Sequence, residues 1–331
     1  MAIMTVRPVP SVALPRFLLD GYRAELDAAA KDRADLLAED DTALLDGSPA
    51  FLEVAVTGIE EALFRRLVEA PGLRWVHSIS AGIEHLPLAR MAERGVLLTN
   101  SAGAYATAMA EYALAAMIML ARSLPAWLEG QRERTWLDPG SFEANVLRGK
   151  RLGIVGYGAV GRELASPAKA LGMEVWATKR TPLFPSAEPL DRLLPSTDLH
   201  ELLAASDFVV LCASLNRTTH HLIGGKELDA FKPTAVLVNV ARGRLVDEDA
   251  LVGVLREGRL RAAMLDVTSE EPLPPESQLW TVPNLFITPH VSGNTPESWH
   301  WQVEFFCRNL RLYLDGAPER MGNLVDYSAV L

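Results

Sequence analysis

The sequence predicts an α/β protein with two parallel sheets, and three observations predict it. Short apolar strands alternate with helical patterns from Phe51 to Asn100, and a second series of the same kind begins at Lys150. Within that second series, Gly156-Tyr157-Gly158-Ala159-Val160-Gly161 follows a strand and opens a helix. At 331 residues the chain is longer than one core ordinarily serves, so two domains are expected.

The first series runs through strands at Glu53-Val54-Ala55-Val56-Thr57, Arg74-Trp75-Val76-His77-Ser78 and Gly95-Val96-Leu97-Leu98-Thr99, with a helix patterned from Ile59 to Glu69. Strands separated by helices pair in parallel, and a sheet covered on both faces reads as continuous apolar runs. Tyr112 to Ala121, bounded by Glu111 and Arg122, is apolar but too short to span a bilayer, and it reads as a buried helix. Arg151-Leu152-Gly153-Ile154-Val155 is the strand that enters the glycine turn. The helix after it closes at Gly172, a suitable residue beyond a last apolar turn, while Pro167 should kink that helix or end it early. Further strands follow at Val175-Trp176-Ala177, Phe208-Val209-Val210-Leu211, Ala235-Val236-Leu237-Val238, Ala262-Ala263-Met264-Leu265 and Leu285-Phe286-Ile287, and Asp247 to Arg256 reads as one of the connecting helices. Pro182 to Pro195 is the longest loop-like stretch.

Near the end, Thr295 is placed as an N-cap with Pro296 at the first helical position, and Trp299, Val303, Phe306, Leu310 and Tyr313 share one face. The second sheet already has its covering helices, so this apolar face is assigned to the N-terminal domain. The expected architecture is two Rossmann/flavodoxin-like parallel-sheet domains: a doubly wound dinucleotide-binding domain, residues 103–293, inserted in a discontinuous substrate domain, residues 1–102 and 294–331.

Composition narrows the function classes. Hydrophobic residues make up 49% and charged residues 22%, an ordinary balance for a soluble globular chain. A net charge of −10 argues against nucleic acid as a partner, because phosphate-backbone binding needs clustered Lys and Arg. Two cysteines, Cys212 and Cys307, sit in apolar runs without metal-ligand spacing and indicate a reducing, cytoplasmic setting. Met1 to Pro8 has no charged start followed by an apolar stretch, so neither a signal peptide nor a membrane partner is expected.

The glycine cluster stands where a dinucleotide needs it, with backbone N–H groups and a helix N-terminus facing a pyrophosphate. Gly156 permits the turn, Gly158 lets phosphate approach, and Gly161 allows tight packing of helix on strand. NAD-binding folds carry Asp or Glu about 20 residues further on to hold the ribose hydroxyls. Here that place reads Thr178-Lys179-Arg180, two cations and no carboxylate, so NADP(H) is favoured and NAD(H) remains open.

The reacting groups lie downstream. Arg242 follows a buried strand and precedes Gly243, at the end of the sheet where open α/β folds bind ligands. A guanidinium there can hold a carboxylate and polarise the neighbouring ketone of a 2-oxo acid. His290 follows the Leu285 to Ile287 strand, and Ser292-Gly293 would let backbone come close to a ligand. Ketone reduction needs a proton as well as a hydride, and imidazolium is its natural donor near neutral pH. A carboxylate beside it would favour the charged ring; Glu270 and Glu271 both compete for that place, and spacing does not choose. His77, His85, His200, His220, His221 and His300 have no comparable setting and are read as structural or surface residues.

At these residues the chain resembles the D-isomer-specific 2-hydroxyacid dehydrogenase family, of the glyoxylate/hydroxypyruvate reductase kind. The similarity runs from about Phe51 to Leu324 and includes Ser78 to His85, Asn100 to Glu111, the glycine cluster, Asn239 to Gly243, Leu265-Asp266-Val267 with Glu271-Pro272, and Thr288 to Gly293. The resemblance implies that Arg242, Glu271 and His290 are catalytic, with Glu271 rather than Glu270 the partner carboxylate. It implies that Asp266 contacts the nicotinamide carboxamide, and that Cys212, Ala213, Ser214, Thr219, Val240, Ala241, Ser292 and Gly293 join Gly156 to Gly161 and Thr178 to Arg180 around the cofactor. Ser80, Ala81 and Gly82 would hold the substrate carboxylate through backbone amides, with Arg242 and His290, so that closure assembles the site. It also implies a homodimer through the cofactor domain, partly by the helix matching Ala106 to Leu124. The chain departs from NAD-preferring members at Lys179 and carries Ser214 where Pro is common. Formate dehydrogenases with Gln in place of Glu271, and phosphite dehydrogenases with Lys in place of Ala81, are disfavoured. A different class, a dinucleotide-sensing scaffold resembling the C-terminal binding protein corepressors, shares the same Arg, Glu and His and is the alternative.

Overall fold

A computed structural model describes residues 9–41, 52–181 and 188–329, so the leader-free reading of residues 1–8 lies outside the described residues. The chain forms two compact units, Met1–Tyr105 with Thr295–Leu331, and Ala106–Asn294.

The first unit contains β1 (Ser11–Leu14), α1 (Arg16–Gly21), α2 (Arg23–Ala30), β2 (Asp35–Ala38), β3 (Leu52–Val56), α3 (Glu61–Val68), β4 (Trp75–Ser78), α4 (Leu88–Glu93), β5 (Leu97–Asn100) and the late helix α11 (Pro296–Leu314). Its sheet has the order β2-β1-β3-β4-β5, and these strands pair with one another in parallel. Strand β4 is buried along its whole length, as a doubly covered strand requires. On one face of the sheet α11 packs Val303, Phe306, Cys307 and Leu310 against Val12, Val54 and Trp75. The Thr295 side chain caps this helix by accepting from Ser298 N at 3.1 Å, and Pro296 follows it. The sequence reading did not contain β1 and β2. The first is a four-residue run between Pro10 and Pro15, and the second is a half-exposed edge strand, so neither has enough length or periodicity to stand out.

The second unit contains α5 (Ala106–Ala121), α6 (Leu124–Arg132), β6 (Arg151–Val155), α7 (Ala159–Ala170), β7 (Glu174–Lys179), β8 (Arg192–Pro195), α8 (Leu199–Ala205), β9 (Phe208–Leu211), α9 (Gly225–Asp229), β10 (Val236–Asn239), α10 (Glu248–Arg256), β11 (Ala262–Leu265) and β12 (Leu285–Ile287). All strands pair in parallel, in the order β12-β11-β10-β9-β6-β7-β8. Strand order therefore reverses between β6 and β9, which makes the carboxyl ends of those two strands the crevice of a doubly wound sheet. Two expectations are revised among the described residues, positions 182–187 of the loop-like stretch from Pro182 to Pro195 lying outside them. The stretch ending at Pro195 carries an edge strand, β8, paired to β7 through Trp176↔Arg192 and Lys179↔Pro195; an edge strand tolerates Pro because one side of its ladder is empty. Helix α7 does not end early at Pro167 but runs on to Ala170. The carbonyl that loses its donor there belongs to exposed Glu163, and Leu171 N still donates to Pro167 O at 3.0 Å.

One face of helix α5 is interior, while Ile118 on another face is exposed. Ala110, Ala113, Ala116, Met117 and Leu120 are buried against Leu164, Ala165 and Ala168 of α7, the small side chains letting the two helices approach. Among the described residues no single helix is long and apolar enough to cross a membrane.

Candidate active site

The glycine turn after β6 has the shape of a dinucleotide cradle. Gly156 has φ +99°, and a Cβ on it would lie 2.7 Å from the Ala213 backbone, so the turn after β6 and the segment after β9 meet only because the residue is glycine. A Cβ on Gly161 would sit 2.8 Å from the Gly156 carbonyl oxygen, whereas a Cβ on Gly158 would meet nothing within 4 Å. Two of the glycines thus serve close packing, and the middle one faces open space at the N-terminus of α7, where a phosphate can approach backbone. The residues present fit a dinucleotide. Tyr157 N donates to Thr178 O at 2.9 Å, tying the turn to the end of β7, where Thr178 is buried, Lys179 half-buried and Arg180 exposed.

Cys212, Ala213 and Ser214 follow β9, and Thr219 Oγ1 donates to Ser214 O at 2.7 Å. Burial pushes the Cys212 thiol up to about 12, so it behaves as a packing residue and not as a nucleophile. Val240 and Ala241 are buried beyond β10. Ser292 is buried and Gly293 half-buried at the end of the turn that carries His290.

Arg242 stands just past β10 on a loop fixed by Asn239, whose side chain accepts from Ala241 N at 3.0 Å and donates to Arg242 O at 2.9 Å. The guanidinium also donates to Ala241 O at 2.7 Å. Any Cβ on the next residue, Gly243, would overlap the Thr268 carbonyl group. Glycine is therefore what lets the Arg242 loop lie directly on the segment from Thr268 to Glu271.

His290 Nδ1 lies 2.8 Å from Glu271 Oε2. A carboxylate can only accept, so Nδ1–H donates to it and Nε2 is the nitrogen left for proton transfer. The other Glu271 oxygen accepts from Thr268 N at 3.0 Å, while Glu270 contributes only its carbonyl, to Thr268 Oγ1 at 2.7 Å. His290 has φ +54°, a conformation disfavoured for a residue with Cβ. Asp266 holds it there: its carbonyl accepts from His290 N at 2.8 Å, and its carboxylate accepts from Val291 N and Ser292 N, each at 2.9 Å. Thr288 Oγ1 donates to the same carboxylate at 2.7 Å, and the Tyr112 hydroxyl on α5 bonds in turn to Thr288 Oγ1. Burial raises the Tyr112 phenol above its usual range and keeps it a neutral donor. Tyr112 and Thr288, together with this turn-holding use of Asp266, were missed by the sequence reading. The available signal was a buried Asp directly after a strand, a group that needs several donors.

Asp266, Thr288, Glu271, His290, Leu273 and Trp280 line a cavity of about 640 Å³, within the range of small-molecule sites. Ser80, Ala81 and Gly82 belong to the first unit, in the loop after β4. Ser101 N donates to Ser80 O at 3.2 Å, Asn100 Nδ2 to Ala81 O at 2.9 Å, and the Tyr105 hydroxyl to Ile79 O at 2.6 Å, so the loop is tethered by its carbonyls.

Residues 114–292 match the NAD binding domain of the D-isomer specific 2-hydroxyacid dehydrogenases. A glyoxylate reductase of Thermococcus gammatolerans is 34% identical over 272 residues, which is 80% of this chain and 80% of that one. Among solved structures, a D-isomer specific 2-hydroxyacid dehydrogenase family protein from Aeromonas salmonicida superposes with TM-score 0.84 at 31% identity, covering 96% of this chain and 99% of its own. A D-isomer specific 2-hydroxyacid dehydrogenase from Xanthobacter autotrophicus, in complex with NADPH and MES, superposes with TM-score 0.80 at 27% identity over 97% of this chain and 98% of its own. With a cradle on β6 and Arg242, Glu271 and His290 on neighbouring loops of the same sheet, the chain belongs to the D-isomer specific 2-hydroxyacid dehydrogenase family.

Proposed function

We propose that this protein reduces small 2-oxo acids, glyoxylate to glycolate and hydroxypyruvate to the D-isomer of its 2-hydroxy acid, with NADPH preferred over NADH. The observation that carries the reading is the 2.8 Å contact between His290 and Glu271 on a turn that also lines the cavity. Reduced nicotinamide supplies the hydride that the carbonyl carbon receives. His290 gives the proton from Nε2 to the carbonyl oxygen, and Glu271 holds the ring at Nδ1 and offsets its charge. Arg242 binds the substrate carboxylate and draws electron density from the ketone. Residues 103–293 serve as the cofactor domain, Asp266 faces the carboxamide end, and the rest of the chain serves as the substrate domain.

The absence of a carboxylate from Thr178-Lys179-Arg180 supports NADPH, as does the NADPH held by the Xanthobacter relative. Relatives named glyoxylate reductase support the substrate class. Unpaired Cys212 and Cys307 support a cytoplasmic setting. Exposed Leu124, Leu128, Trp136 and Val146 in the second unit support pairing with a second copy of the chain through that unit, which light scattering tests.

The deciding experiment is a panel of 2-oxo acids assayed with each cofactor. Consumption of reduced cofactor is expected with glyoxylate or hydroxypyruvate, and kcat/KM is expected to be higher with NADPH. No turnover across the panel with either cofactor would remove the enzymatic reading and leave the dinucleotide-sensing one.

A further inference from the structure

The end of β7 carries only cations in sequence, yet the fold brings a carboxylate to the glycine turn that is bonded to that strand end. Glu188, nine residues beyond Lys179, accepts from the Tyr157 hydroxyl at 2.7 Å through one oxygen and from Arg162 Nε at 3.1 Å through the other. Its side chain is 17% exposed, against 45% for Arg162. Tyr157 is the residue between the first two cradle glycines, and its backbone N–H is bonded to Thr178 O at 2.9 Å. Arg162 follows the third glycine and lies over the Tyr157 ring, 5.4 Å from its centroid. One carboxylate is therefore fastened to the glycine turn, to the first turns of α7 and, through Tyr157, to the strand end beside Lys179. Hydrogen bonds from Tyr157 and Arg162 hold Glu188 below the usual carboxylate range, with Lys179 adding its attraction, so the group is anionic at neutral pH.

We infer that Glu188 is a specificity-determining residue for the cofactor: its charge, held against the dinucleotide cradle, opposes the 2′-phosphate of NADPH and narrows the preference that Lys179 and Arg180 create. The inference rests on the proposed reading that Gly156 to Gly161 hold the dinucleotide. NADH and NADPH differ only at the ribose 2′ position, so a charge nearby changes the ratio of their affinities, whereas loosening the turn changes both together. Neutralising Glu188 also leaves the charges of Arg162 and Lys179 uncompensated, which acts in the same direction.

The test measures dissociation constants of NADH and NADPH by quenching of tryptophan fluorescence, in wild type, Glu188→Gln and Tyr157→Phe. Glu188→Gln should raise the affinity ratio in favour of NADPH by about fivefold at low salt, with the gain shrinking as ionic strength rises. Tyr157→Phe removes a hydrogen bond and keeps the charge, so its ratio should stay within about twofold of wild type. Adenosine 2′,5′-bisphosphate against 5′-AMP should show the same difference without any nicotinamide. An unchanged ratio in Glu188→Gln, or an equal rise in Tyr157→Phe, overturns the inference while leaving the cradle in place. Should Glu188→Gln fail to fold, Glu188→Ser carries the same prediction. Wild-type protein that binds neither nucleotide overturns the cradle, and this inference with it.

Discussion

Two histidines at the carboxyl ends of parallel strands live in opposite surroundings. His77, in β4 of the first unit, is fully buried. Trp75 Nε1 donates to Thr99 Oγ1 at 2.9 Å, and that hydroxyl donates to His77 Nδ1 at 2.8 Å. On the other side His77 Nε2 donates to Ser101 Oγ at 3.3 Å, which donates to Ser78 O at 3.0 Å. The chain of donors is complete with a neutral ring, and burial pushes this imidazole down to about 3. His290, beyond β12 of the second unit, has a side chain 49% exposed and a carboxylate 2.8 Å from Nδ1. Hydroxyls in a dry interior surround one ring, whereas the other stands half-exposed at a cavity edge with a carboxylate on Nδ1, the setting that the proposed proton transfer from Nε2 requires.

The largest effect should come from breaking the second setting. His290→Asn keeps a polar side chain on the turn but removes the proposed proton donor, and kcat for 2-oxo acid reduction should fall about 10³-fold while the dissociation constant of the cofactor stays within a factor of about three. Steady-state rates and nucleotide titration check it. A loss smaller than tenfold would place the proton source elsewhere and end the contrast between the two rings.

The first setting predicts a pH effect on stability rather than on rate. His77 binds a proton in the unfolded chain near its ordinary value of 6.5, but in the folded protein only near about 3. Between those values the unfolded chain holds more protons, so the stabilising contribution is complete above pH 6.5 and is lost as pH falls toward 3. The slope is about 1.4 kcal/mol per pH unit for one such group. His77→Gln cannot take up that proton, and urea midpoints measured from pH 7 to pH 4 should fall less steeply in the variant than in wild type. Parallel slopes would mean that the folded interior accepts the charge.

The comparison also marks how far the sequence could be read. Strand, glycine turn and helix at Arg151 to Gly161 were legible because three local rules agree there: an apolar run, a turn that needs glycine and a following helical period. Arg242 and His290 were legible as residues placed just after strands. Choosing Glu271 over Glu270 was not legible from spacing, since adjacent residues differ only in which way the chain turns after Thr268, and the family resemblance made that choice. His77 could not be told from a surface residue: in a doubly covered strand both faces are buried, so the alternation that would mark an inward position is missing. Glu188, Tyr112 and the hydroxyl partners of His77 depend on long-range closure, between Tyr157 and Glu188, between α5 and Thr288, and between β4 and β5. No local pattern encodes those meetings.

The smallest effect sharpens the contrast from the side of His290. That ring is held at a positive φ by Asp266, and Asp266 is in turn held by Thr288, whose hydroxyl takes a bond from Tyr112 on α5. If the turn is fixed as a unit, Tyr112→Phe removes its outermost bond without touching the reacting groups. One such hydrogen bond contributes about 1 kcal/mol, so kcat/KM should fall about fivefold. The loss should appear mainly in kcat, because the phenol acts on the orientation of His290 and not on Arg242, the proposed site of the substrate carboxylate. A matching fall in thermal stability with kcat unchanged would show that the hydroxyl serves packing of α5 alone. In that case the turn would rest on Asp266 and Thr288, and the support of the acid would be as local as the hydroxyl network around His77.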